Sequence, residues 1–89
     1  MGSVAGKLAA LLEAAEAMGI EVREVPLGGA GGGGVCSFKD RRVLFVDTES
    51  DVSTRYAIAV RELAQIPEIE GIYLRPDVRE DVERSRGPG

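Results

Sequence analysis

The sequence contains no histidine, no tryptophan and a single cysteine, Cys36. Without imidazole the chain has neither the commonest transition-metal ligand nor the commonest general base near neutral pH, so a bound catalytic metal and His-assisted nucleophilic catalysis are not expected. One thiol cannot close an intramolecular disulfide, and an intracellular, reducing compartment is the simplest expectation. Aromatic residues make up only 4% of the chain, which leaves Leu, Val, Ile and Ala to fill the core. No apolar run approaches the ~18 residues of a membrane span, and the first residues show no charged segment followed by a long apolar one. No membrane partner and no secretory leader are therefore expected, and a cytoplasmic location follows. The formal charge of −4 argues against a nucleic-acid partner, which would require a basic face.

What is present fits one small α+β domain. The 89 residues are 44% hydrophobic, and a chain of this size buries only about 60–65% of its unfolded surface. Leu8, Leu11, Leu12, Ala15 and Met18 form a helical stripe, with Ser3 as its N-cap and Gly19 at the left-handed C-cap position. Ile20, Val22, Val25 and Leu27 alternate with a slip near Arg23 and Glu24, which predicts a bulged strand stopped by Pro26 and suited to a sheet edge. Val35–Phe38 and Val43–Val46 flank the polar connection Lys39–Arg42 and predict a β-hairpin. Val43-Leu44-Phe45-Val46 is apolar on both faces, as in a central strand covered on two sides. A second helix follows, its buried face made of Tyr56, Ala59, Val60, Leu63 and Ile66 and its end set by Pro67. Ile69 and Ile72-Tyr73-Leu74 predict a further short strand or extended packing segment. Pro76, Asp77 and Glu80 open a narrow last helix whose apolar pair is Val78 and Val82. The domain is expected over residues 1–84, with a disordered tail over 85–89.

Three groups of residues are candidates for chemistry. The loop Gly28–Gly34 formally contains GxGxxG, with Gly29, Gly31 and Gly34 as ligand-loop candidates. A dinucleotide site needs such glycines between a strand and a helix, whereas Val35-Cys36-Ser37-Phe38 reads as a strand, so a flexible linker is the favoured reading. Asp47, Glu49 and Asp51 alternate like the first ligands of a calcium loop, but Val52 stands at the sixth position and Ile58 at the twelfth. Helix capping accounts for these carboxylates better. Cys36 has no histidine to activate it and reads as a small hydrophobe on a strand. The third group is Arg61, Glu62 and Gln65, the first and last of which stand four apart and so on one side of a helix.

At these residues the chain resembles the minimal zinc metallopeptidase domain of the ImmA/IrrE type. The likeness covers residues 8 to 66: AEAMGIEVREVPL is similar to the family's helix-to-first-strand passage. The helix that carries His-Glu-x-x-His there here reads Arg61-Glu62-Leu63-Ala64-Gln65. The resemblance implies an inactive relative. The family's histidines hold zinc while its glutamate activates water; Arg61 repels a cation, Gln65 is a poor zinc ligand, and Glu62 is left without a metal-bound water.

The expected architecture is thus an N-terminal and a central helix on a mainly antiparallel sheet of about three strands, with a short C-terminal helix covering an edge or reaching towards a partner. The expected function is a non-enzymatic protein-interaction or regulatory module without cofactor or metal. Unpaired strand edges at Ile20–Leu27 and Ile69–Leu74 would invite self-association, including a homodimer. The alternatives are a nucleotide or small-ligand protein, or an enzyme, using Gly28–Gly34 with Arg61 and Glu62, and a calcium sensor using Asp47, Glu49 and Asp51.

Overall fold

The computed structural model describes residues 3–87. Helix α1 (Val4–Ala17) leads into strand β1 (Ile20–Val25), a hairpin of β2 (Gly33–Phe38) and β3 (Arg41–Asp47), helix α2 (Val52–Leu63), a 3-10 segment (Pro67–Gly71) and helix α3 (Pro76–Arg86). The strands form one sheet in the order β1-β3-β2. β3 is central, pairing in parallel with β1 and antiparallel with β2. This order dictates what the glycine-rich loop does. The chain leaves β1 at one edge, crosses over the C-terminal end of β3 and enters β2 at the other edge, a lateral step of about 10 Å.

Local chemistry sets the helix starts. The Ser3 hydroxyl accepts from Gly6 N–H at 3.0 Å and the Asp51 carboxylate from Thr54 N–H at 2.7 Å. Gly19, at φ +80°, turns the chain out of α1 as expected. The second helix is shorter than its apolar stripe predicts. It ends at Leu63, and Ile66 is extended (φ −87°, ψ 117°) because Pro67 follows.

The helices all lie on one face of the sheet. Residues alternate along a strand, and the strand residues of the cluster beneath the helices share one parity: Ile20, Leu44 and Val46, with Val22 and Val35 packed against them; Val43, also buried, belongs to the other face. Leu8, Leu11 and Ala15 of α1 and Tyr56, Ala59, Val60 and Leu63 of α2 meet these side chains. Val78 and Val82, both 0% exposed, seat α3 on the far side of the helix pair. The expected narrow stripe of α3 is thus enough to dock it, each buried valine contributing about 1.5–3 kcal/mol. A polar knot joins the three helices: Tyr56 OH donates to Asp81 at 2.6 Å, Lys7 Nζ lies 2.9 Å from the same carboxylate, and Arg84 pairs with it at 3.0 Å.

Four expectations are corrected. β3 is central but covered on one side only. β1 is the expected edge strand, yet its register with β3 runs from Ile20 to Val25 without a bulge. The segment from Ile69 to Leu74 forms no strand edge, because Pro67–Gly71 winds into a 3-10 helix and Arg79 binds the Ile69 and Ile72 carbonyls from α3. The C-terminal segment covers the helix pair, not a sheet edge, and α3 takes in Ser85 and Arg86 of the expected tail. Residues 88 and 89 of that tail lie outside the described residues.

Candidate functional site

One or more residues of each candidate group converge on the segment from Leu27 to Val35: Asp47, Glu49 and Glu62 each accept from its backbone N–H groups. Asp47 stands at the end of β3, directly under the crossing loop, and is 2% exposed. Its carboxylate accepts from the N–H of Leu27 (2.8 Å), Gly29 (2.8 Å) and Glu49 (2.9 Å), and from the Ser50 hydroxyl (3.1 Å). Burial pushes its pKa up, but the hydrogen bonds from Glu49, Leu27, Gly29 and Ser50 outweigh burial and hold the carboxyl below its ordinary range. Glu49 reinforces the clamp by accepting from Gly28 N–H at 2.6 Å. Of the three alternating carboxylates only Asp51 caps α2, holding its own pKa down chiefly through the bond from Thr54. Asp47 and Glu49 tie down the loop instead.

The loop's glycines follow from the same geometry. The N–H groups of Gly28 and Gly29, which a phosphate cradle would aim at a ligand, each meet a carboxylate, and fixed negative charge repels phosphate. Gly31 has open space around it. Gly33 and Gly34 open β2 as required by close approach: a Cβ on Gly33 (φ +115°) would lie 2.6 Å from the Phe45 carbonyl oxygen, and one on Gly34 (φ +134°) 2.8 Å from Glu62 Oε1.

Glu62 reaches β2 from the last turn of α2. Its Oε1 accepts from Val35 N–H at 2.9 Å, a donor on the side of β2 that faces away from β3. Glu62 therefore occupies one outward donor on the β2 edge of the sheet. Arg61 projects into solvent with its side chain 63% exposed, its Nε 3.7 Å from Glu62 Oε2. Gln65 is not on the helix. It sits past the end of α2 in a turn closed by its own N–H to Glu62 C=O, so the helix on which Arg61 and Gln65 were expected to share one side stops before Gln65. Among the described residues no three of His, Cys, Asp and Glu converge to hold a metal ion.

A second surface was not singled out in the sequence. With the helices on one face, the other face of the sheet is bare. It carries Val43 and Phe45 of β3, Cys36 and Phe38 of β2, and Arg23 and Arg41, around a depression of about 340 Å³. Phe38 is 58% exposed, and Lys39 Nζ stands 5.5 Å from the centre of its ring. Glu21 on the same face pairs with Arg23 at 2.5 Å and Arg41 at 3.6 Å. The signal was the apolar outer parity of β3 combined with helix count: two helices flanking a hairpin and an edge strand can cover one face and leave the other. Comparison with known protein families, with curated proteins and with solved structures finds no match to this chain.

Proposed function

We propose that the protein is a non-enzymatic interaction module that docks a partner on the bare sheet face. One observation carries this reading: exposed Phe38 and Cys36 and half-buried Phe45, with buried Val43 beneath them, form an apolar strip on the three-stranded sheet face that carries no helix among the described residues. Exposed apolar area rimmed by charge marks interaction sites. The rim favours an acidic occupant. Arg23, Lys39 and Arg41 stand against Glu21 and Asp40, a local surplus of one positive charge (3 − 2) in a chain of net charge −4. The occupant is thus an acidic protein segment with one apolar face. The engagement of Asp47, Glu49 and Glu62 with backbone N–H groups supports the same reading, since the residues best suited to acid–base work are committed to holding the fold. So does the resemblance to a metallopeptidase domain of the ImmA/IrrE type, in which Arg61 and Gln65 of this chain stand where that family has its zinc-binding histidines.

The test is a nuclear magnetic resonance titration with matched amphipathic peptides, one acidic and one charge-reversed. The acidic peptide is expected to shift resonances of Cys36–Arg41 and Val43–Phe45, to weaken as salt rises, and to lose its effect on the Phe38→Ser variant. Shifts confined to other surfaces, or equal binding of the basic peptide, would reject the reading.

A further inference from the structure

The two edges of the sheet are unlike. On β2 the outward Val35 N–H is taken by Glu62, and Gly33 and Gly34 make the strand start irregular. β1 has no such guard. Thr48 N–H donates to Val25 C=O, so Val25, and by alternation Arg23 and Glu21, direct their backbone groups towards β3. Ile20, Val22 and Glu24 direct theirs outwards along a regular six-residue strand. Among the described residues no hydrogen bond from another element reaches these edge groups.

We infer that β1 pairs antiparallel with β1 of a second copy, with Val22 opposite Val22 of that copy on a two-fold axis. Charge selects this register. In an antiparallel pair only residues that both face the partner can exchange hydrogen bonds, so the two-fold registers differ by steps of two residues between strands. Centring on Val22 sets Glu21 opposite Arg23 of the second copy and Arg23 opposite its Glu21. The register centred on Glu21 sets Glu21 against Glu21, and that centred on Arg23 sets Arg23 against Arg23. Directly opposed like charges destabilise a sheet pair and opposite charges stabilise it. The chosen register also exchanges roughly six backbone hydrogen bonds. The product is a six-stranded sheet whose bare faces lie side by side. The pairing stands whether or not the bare face binds the partner proposed above, because it uses the strand edge.

Sedimentation equilibrium of the full chain at rising concentration tests it. The weight-average mass is expected to climb from that of one chain towards twice that value. The Arg23→Glu variant is expected to weaken the dimer at least about tenfold by opposing like charges. The exchanged double variant, Glu21→Arg with Arg23→Glu, is expected to restore it. In a Cys36→Ser background, Val22→Cys is expected to cross-link on mild oxidation, since residues paired on the axis lie about 5.5 Å apart. A monomer at every concentration, a dimer indifferent to Arg23→Glu, or a double variant that fails to recover would each overturn the inference.

Discussion

Asp47 shows how one side chain can decide a connection. It alone gathers donors from the crossover loop, from its own turn and from Ser50. Its carboxyl titrates below the ordinary range in the fold and at the ordinary aspartate value, about 3.8, in the unfolded chain. On acidification the unfolded state takes up its proton first. The contribution is therefore complete above the unfolded pKa and disappears as pH falls through the folded one. Thermal melts followed by circular dichroism should show a constant contribution from pH 5 to 7 and a steep loss of Tm below about pH 4. Asp47→Asn presents an amide N–H₂ to donors that need an acceptor, so it should melt several degrees lower at pH 7. It should also lose less Tm than the parent between pH 5 and 2. Equal acid slopes in both proteins would mean that Asp47 is not the clamp.

Between elements, contacts that cross the chain are what the sequence could not announce. The helix caps, the hairpin, the left-handed Gly19 and the stop at Pro67 were legible because each rests on neighbours within a few residues. Val78 and Val82 were legible as a pair, but their depth was not, since it depends on α1 and α2 lying beneath them. Glu62 read as part of a solvated face or a broken metal motif; its partner, Val35 N–H, is 27 residues away. The polar knot is of the same kind. Desolvation first, and then the bond to Asp81, push the Tyr56 hydroxyl pKa well up, so the phenol stays protonated and donates at all physiological pH values. Tyr56→Phe removes a bond to a charged acceptor and should cost about 1–2 kcal/mol in urea unfolding. Lys7 and Arg84 still satisfy Asp81 in that variant, so the loss should fall on the α2–α3 junction. Faster amide exchange in α3 than in α1 would report it; uniform acceleration would not.

Taken whole, the molecule is a two-sided sheet with unequal sides, and residues on its two faces should respond unequally to truncation. Leu44 is fully buried beneath the helices, whereas Phe38, on the hairpin's opposite face, is 58% exposed. Removing a packed leucine leaves a cavity, so Leu44→Ala should cost about 2–5 kcal/mol, a large part of the stability available to a domain this small. Phe38→Ser deletes a side chain that contacts mostly solvent and should change stability by no more than about 0.5 kcal/mol. It should, however, lower the binding of an apolar fluorescent dye to the native protein, because the dye's surface is the strip that Phe38 helps to form. Urea titrations of both variants beside the parent, with dye fluorescence read before the transition, measure the asymmetry directly. If Phe38→Ser destabilised the chain as much as Leu44→Ala, the outer face would be packed against something within the protein itself, and the platform available to a partner would not exist.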